Sequence, residues 1–393
     1  MTRDTTARST DPVARLVADL SARQEQMVGL LGVLVSSESP SSEPTMLAAT
    51  ADLLADHGSR LLGAEPERIN DQAGTPVLRW QLPALDSHAR PVLLLGHLDT
   101  VWPAGTIDRW PFESDGDRAT GPGAFDMKAG LVQALFALSV LRMTAIPRPP
   151  VVLLVTADEE IGSPAGRSIV ESTARSASAV LVLEASLDGR LKTARKGVSN
   201  YDLHLTGRSA HAGLEPEKGV NALVAAAHVV LALEAVACPE LGTTVTVTMA
   251  SAGTTRNTVP SGASIAIDVR ASTVEEQLRV DAELRALQPP GGATMTVEGG
   301  MNRPPMEERT SLELLALAQR AASRCGLPLL GTARVGGGSD GNFTAALGVR
   351  TLDGMGAVGA GAHAEGEYAL VSAMPERAGL LAALIVELGE DQQ

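Results

Sequence analysis

Aromatic side chains are scarce in this chain: four Phe, two Tyr and three Trp make up 2 % of 393 residues. A core must therefore be built from Ala, Val and Leu, and the apolar share of 44 % is ordinary for a globular protein. Cysteine is nearly absent. Cys238 and Cys325 lie far apart without metal-type spacing, which excludes a disulfide framework and reads as two buried thiols in a reducing compartment. Positive charge is short too. Thirty-two Lys and Arg face 46 Asp and Glu, a net charge of −14, which argues against nucleic acid or an anionic membrane as partner. No run reaches the roughly 18 apolar residues needed to span a bilayer. The polar start "MTRDTTARSTDP" lacks the apolar stretch of a secretory signal. A cytoplasmic protein with a frayed first ten residues is expected, with room for two or three domains.

Apolar residues at helical spacing over 12–35 lead into the turn-rich "SSESPSSEP", and a second helix is expected over 44–57. "PVLLLGHLDTV" (91–101) reads as a buried strand ending at Gly96. Then come a helix over 127–143, a strand over 151–156, a helix near 164–174 and a strand over 179–185. Continuous apolar strands alternating with helices indicate an α/β domain with a mostly parallel sheet. Near residue 196 the pattern switches to period two, in "NYDLHLTG" and "TVTVTMASAG", around a helix over 219–237. A βαββαβ insert over 196–305 fits, with a four-stranded antiparallel sheet and two helices. Residues 1–195 and 306–393 would form one discontinuous α/β domain around it, with helices over 310–325 and 375–388. No internal repeats are visible.

"VVLLVTADEEIGS" places Asp158, Glu159 and Glu160 side by side after a buried strand. Adjacent carboxylates repel and are costly to desolvate, so they either cap a helix in solvent or face a cation. In open α/β sheets ligands collect at the carboxyl ends of strands. His97 and Asp99 lie at such an end, as do Asp126 before its helix, Glu159 and Glu160, Glu184, and His363 in a late loop. Two imidazoles and three carboxylates form a nitrogen and oxygen donor set that suits Zn²⁺, with Co²⁺ or Mn²⁺ as substitutes. Five ligands serve two metals if one carboxylate bridges. One of the adjacent glutamates would then ligate and its neighbour act as base.

The series "GHLDTV", "GPGAFDMKAG", "TADEEIGS", "LEAS", "GRSAHAG" and "GAHAEGEY" resembles the di-zinc aminoacylase and carboxypeptidase family, most closely its carboxypeptidase G type. The resemblance runs from about residue 90 to the end. It implies a zinc-peptidase-like catalytic domain carrying an inserted lid and dimerisation domain. It also implies that His97, Asp126 and Glu184 hold one zinc, and that His363, Asp126 and Glu160 hold the second. Asp99 would orient His97, and Glu159 would be the general base. His211 of "GRSAHAG" would stabilise the oxyanion, reaching over from the partner of a homodimer. Asn257 and Arg270 would lie near the substrate carboxylate, and Arg303 of "MNRPPM" would bind the substrate's glutamate portion. After Glu184, "SLDGRLKTARKG" departs from the pattern and leaves open whether Arg190 or Lys192 meets substrate. The implied reaction cleaves an N-acyl amino acid or short peptide and frees an amino acid with its α-carboxylate.

Two rival readings exist. "GGSDG" (337–341) fits a nucleophile elbow, with Ser339, Asp353 and His363 in the order of a serine hydrolase. The chain could instead be a non-catalytic scaffold of the same fold. The "GGGSDGN" loop itself could offer backbone N–H groups to a carboxylate or be a flexible turn.

Overall fold

The computed structural model describes residues 11–70, 74–85 and 88–392, so the ten residues expected to fray lie outside it. The chain divides into two compact units. One comprises residues 1–194, 308–334 and 339–393, the other 195–307 and 335–338.

The first unit is built on a six-stranded sheet of order β1-β2-β6-β3-β7-β14. Its strands are β1 (Glu67–Asn70), β2 (Pro76–Leu82), β3 (Val92–His97), β6 (Val151–Thr156), β7 (Ala179–Val182) and β14 (Thr351–Leu352). The four strands β6, β3, β7 and β14 run parallel, with Leu94 paired between Leu153 and Leu181. Strand β2 joins β6 antiparallel, and β1 joins β2 antiparallel. The continuous apolar runs are explained by cover on both faces. Val92 and Leu94 pack into the large core with helices α1 (Leu16–Ser21), α2 (Gln24–Ser36), α3 (Pro44–Leu62), α5 (Ala129–Thr144), α9 (Leu312–Arg324) and α11 (Ala373–Asp391). Leu93 and Leu95 face the other way and pack with Val170 and Ala174 of α6 (Gly166–Ser176). A single turn, α4 (Thr106–Arg109), and a small sheet of order β15-β16-β5-β4 complete the unit. That sheet comprises β4 (Glu113–Asp115), β5 (Arg118–Thr120), β15 (Gly359–Ala360) and β16 (Tyr368–Leu370). A separate pair joins β8 (Leu191–Arg195) to β13 (Thr332–Val335).

Several boundaries differ from the sequence reading. The helix expected over 12–35 is broken around Ala22–Arg23 into α1 and α2. Helix α3 runs past 57 to Gly63, whose φ of 67° ends it. Within it Gly58 serves close approach: a Cβ there would lie 2.6 Å from the Trp80 ring. In "GGGSDGNF" the glycines Gly336 and Gly337 are exposed, whereas the second half is built into the fold: Ser339, Asp340 and Asn342 are buried, the Ser339 N–H donates to Asn342 Oδ1, and α10 (Gly341–Ala346) follows. The cysteines are only half-buried, although burial still pushes the Cys325 thiol up to about 11. A stretch long and apolar enough to cross a bilayer does exist, Ala124–Thr144. Every residue from Ala129 to Leu141 is buried in the core, as expected for a helix apolar all round inside a large domain.

The second unit has the expected βαββαβ order: β9 (Gly197–Thr206), α7 (Ala222–Glu234), β10 (Thr244–Ala252), β11 (Gly262–Ala271), α8 (Val274–Ala286) and β12 (Thr294–Arg303). Its four-stranded antiparallel sheet has the order β10-β11-β9-β12. Period-two alternation sends Leu203, Leu205, Ile265 and Ile267 into a core shared with Ala222, Ala225 and Val229 of α7. Asp202, His204, Ser264 and Asp268 take the alternate positions.

Gly130 sets how closely α5 can seat on the chain leaving β7, because a Cβ there would lie 2.2 Å from the Leu183 carbonyl oxygen. Gly130→Ala should lower stability by about 1–3 kcal/mol, the usual cost of overpacking. Denaturant unfolding tests this, and an unchanged midpoint would show that the contact carries no constraint.

Candidate metal centre

His97 closes β3. Its Nδ1 lies 3.0 Å from the Asp99 backbone carbonyl, which favours a proton on Nδ1 and turns Nε2 toward the carboxylates. Nε2 is 3.5 Å from Asp126 Oδ1 and 3.5 Å from Glu184 Oε1. The second oxygen of Asp126, Oδ2, is 3.4 Å from His363 Nε2, which in turn lies 3.2 Å from Glu160 Oε2. Asp126 thus faces two groups of one imidazole and one glutamate, one on each oxygen. Ligating atoms of His97, Asp126 and Glu160 fall within 4.8 Å of one another, as do those of His97, Glu159 and Glu184. All five residues read as ligands from the sequence are brought together, with Glu159 among them.

The burial of these groups tests whether a cation fits. His97 Nε2 and Asp126 Oδ1 are both buried and neither has a hydrogen-bond partner among the described residues. Orphaned buried polar atoms of this kind are rare and costly. A divalent cation between them would satisfy both, and the donor chemistry suits zinc. Without one, protons take its place. Burial opposes charge on His97, yet Asp126, Asp99 and Glu184 outweigh it and hold its pKa well above 6.5. Asp126 and Glu160 push His363 up to about 10. Burial opposes ionisation of Asp126, but the two imidazoles hold its carboxyl well below the usual range. Glu160 moves upward, chiefly through burial.

The acidic run after β6 divides its labour. Asp158 is the cap, taking the N–H groups of Ala165 and Gly166 at 2.7 and 2.9 Å at the start of α6. Glu159 and Glu160 occupy a single turn whose N–H groups donate to the Asp99 carboxylate, at 3.2 Å on Oδ1 and 3.1 Å on Oδ2. Asp99 therefore holds the acidic turn as well as His97, whose Nδ1 is 3.3 Å from Oδ1. Two charged residues escaped the sequence reading. Lys128 is buried with Nζ on the Ser37 carbonyl at 2.9 Å, and burial brings its pKa down to about 7. Glu367 is fully buried, and burial together with Asp126 lifts it to about 8. One sits at a helix start and the other in a polar loop, positions where sequence gives no sign of burial.

The remaining sequence candidates behave differently. In the second unit, His211 is exposed, with Nδ1 accepting from Gly213 N–H at 3.1 Å. It lies beside exposed Asn257, whose carbonyl takes the Ala212 N–H at 2.9 Å. Arg270 is not with them. Thr206 opposite Gly262 marks the His211 end of the sheet, whereas Arg270 pairs with Val198 at the other end, about 26 Å away at roughly 3.3 Å per residue. Arg303 pairs with Val198 from the other side, so the two arginines share that end. Arg270 is held by Asp268, and Arg303 is buried. Arg190 is exposed and paired with Asp188, while Lys192 is half-buried in β8. The serine-hydrolase reading fails. Ser339 is fully buried and donates directly to Asp353 at 2.7 Å, with no imidazole between them, and His363 faces Asp126 and Glu160 instead.

The sequence profile of Peptidase family M20/M25/M40 matches residues 93–387. This chain belongs to that family. Among its relatives, carboxypeptidase G2 of Pseudomonas sp. (strain RS-16) is 31 % identical over 76 % of the chain and 74 % of the relative. Succinyl-diaminopimelate desuccinylase 2 of Shewanella loihica is 32 % identical over 52 % of the chain and 59 % of the relative. The aminopeptidase PepT structure of Bacillus cereus ATCC 10987 superposes with a TM-score of 0.79 at 24 % identity, covering 93 % of this chain and 98 % of that one. Members of the M20 family are metal-dependent, so this chain is a metal-dependent hydrolase and the scaffold reading falls away.

A bound cation needs both imidazoles neutral on their ligating nitrogens. In the metal-free protein Asp126 and Glu160 hold the His363 imidazole up to about 10, and the carboxylates around His97 raise it above its ordinary value. Zinc added to metal-free protein at pH 7.5 should release protons, and affinity should rise with pH. Titration calorimetry in two buffers of different ionisation enthalpy counts those protons. A buffer-independent heat would contradict the electrostatics described here.

Proposed function

We propose that this enzyme is a di-zinc carboxypeptidase or N-acyl-amino-acid amidohydrolase that frees an amino acid bearing its α-carboxylate. One observation carries the reading: Asp126 offers each of its oxygens to a separate imidazole and glutamate. His97, Asp126 and Glu184 would hold one zinc, and His363, Asp126 and Glu160 the other. When bound, the zinc ions supply Lewis-acid polarisation of the scissile carbonyl and make water more acidic. Glu159, buried and fixed by its N–H on Asp99, takes the proton from the attacking water. As the water oxygen bonds to the carbonyl carbon and the C–N bond breaks, Glu159 passes that proton to the leaving nitrogen. His211 donates to the oxyanion. Arg270 and Arg303 are candidates to take the α-carboxylate, a role suited to the guanidinium fork. Relatives named for carboxypeptidase and desuccinylase activities support amide substrates with a free carboxylate on the leaving side.

The second unit would act as lid and dimer contact. His211 with Asn257 and Arg270 with Arg303 occupy opposite ends of one sheet. A small substrate touching both pairs therefore draws them from two copies of the chain. A surface for that pairing is present. Leu223, Val224 and Leu231 of α7 are exposed, and α7 packs beside β10, the edge strand of its sheet among the described residues. Exposed apolar helix surface next to an open edge favours association with a second copy.

Glu159→Gln keeps the shape of the base without its proton affinity, so kcat should fall roughly 10²-fold or more while metal content stays at the wild-type level. Retained turnover would remove Glu159 from that role. For the shared site, Glu159→Ala and His211→Ala homodimers should each be nearly inactive. After subunit exchange about half the dimers are mixed, and one of the two sites in each is intact, so activity should recover to roughly a quarter of wild type. Verified exchange with no recovery would place His211 on its own chain's site.

A further inference from the structure

The serine-rich turn after α2 has no role in the chemistry described so far, yet it lies against the residues that hold the base. Ser39 donates its hydroxyl to the Leu98 carbonyl at 2.7 Å, and Thr100 N–H returns to the Ser39 carbonyl at 2.9 Å. Pro40 bridges to Thr100, and Ser41 N–H reaches the Thr100 carbonyl at 3.3 Å. Glu38 takes the N–H groups of Gly105 and Ile107 at 2.9 and 3.0 Å. Residues 38–41 are thus stitched along the chain that leaves His97. From this strip Ser41 donates its hydroxyl to Asp99 Oδ2 at 2.7 Å.

We propose that Ser41 is a positioning residue for the general base, acting through the Asp99 carboxylate. The proposal rests on the reading of Glu159 as that base. Asp99 is fully buried, and its oxygens are shared out. Oδ1 faces His97 Nδ1 and takes the Glu159 N–H, while Oδ2 takes the Glu160 N–H and the Ser41 O–H. His97 has a second anchor, the Asp99 backbone carbonyl. The Glu159–Glu160 turn depends on the carboxylate for these two N–H bonds. Ser41 makes the shortest contact to it. Terminal carboxylate torsions are soft, so removing the hydroxyl frees Oδ2 to turn and leaves a buried carboxylate short of one donor. The turn that carries the base and a metal ligand would loosen with it.

Ser41→Ala should speed amide hydrogen exchange at Glu159 and Glu160 severalfold. It should lower kcat about tenfold, since small misplacements of catalytic groups are costly, and leave KM and metal content unchanged. Ser41→Thr, which keeps the hydroxyl, should restore both exchange and kcat. If Ser41→Ala does not fold, Ser41→Cys, a near-isosteric but weak donor, should show the same pattern. Unchanged exchange at Glu159 and Glu160 overturns the proposal whatever happens to turnover. So does a loss of kcat that Ser41→Thr fails to rescue. Exchange needs no substrate, so faster exchange in a protein that hydrolyses no N-acyl amino acid would sink the functional reading and leave the Ser41 link standing.

Discussion

Mutual repulsion among Asp126, Glu159, Glu160 and Glu184, gathered around a buried imidazole, His97, and an exposed one, His363, is the constraint on which the architecture depends. Each carboxylate loses hydration on folding, and each raises the cost of its neighbour. Positive charge at their centre, whether cation or protons on His97 and His363, makes the cluster affordable. The raised imidazoles and the depressed Asp126 carboxyl are two expressions of that one balance.

The scaffold resists this repulsion by rigidity. Helix α5 is apolar on every side, so it has one place to go, and the irregular turn that leads into it, Ala124–Lys128, carries Asp126 to the end of β3. The chain leaving β7 is held from both sides. Leu183 N–H donates to the Leu95 carbonyl, and Gly356 N–H donates to the Glu184 carbonyl at 2.9 Å. Gly356 is fixed in turn by buried Arg377 of α11, whose guanidinium donates to the carbonyls of Gly354, Gly356 and Gly189. Burial draws Arg377 down to about 10 against the opposing pull of Glu376. Three carbonyl contacts from one buried guanidinium show how firmly the Glu184 segment is held.

Sequence exposed the parts of this plan that follow from periodicity. Unbroken Val and Leu runs marked the parallel strands, and the carboxyl-end rule then gathered His97, Asp99, Asp126, Glu159, Glu160, Glu184 and His363, while the family resemblance supplied the division into ligands and base. The switch to period two marked the βαββαβ unit. What stayed hidden depends on contacts distant in sequence. The helix expected over 44–57 runs on past Gly58, which seats against Trp80, a contact nothing local reveals. Asp99 was read as a partner of His97 alone, since its grip on Glu159 and Glu160 joins residues 60 apart. Lys128 and Glu367 look like surface charges until the fold encloses them. Strands β1, β4 and β5 are short, and β2, though seven residues long and inside the sheet, carries a mixed pattern. Arg270 and Asn257 looked like neighbours in sequence, and only strand register separates them.

The strand between those two residues also constrains how this sheet can change over evolutionary time. Side chains alternate faces along β11, so gaining or losing one residue would turn Ile265 and Ile267 out of the core and bring Ser264 and Asp268 in. Changes of two residues preserve the faces and alter only the spacing between the histidine end and the arginine end. Length variation that keeps this core intact is therefore quantised in pairs, each moving the two ends apart or together by roughly 7 Å. Compensating changes in β9, which pairs with β11 along its whole length, would have to follow in the same steps.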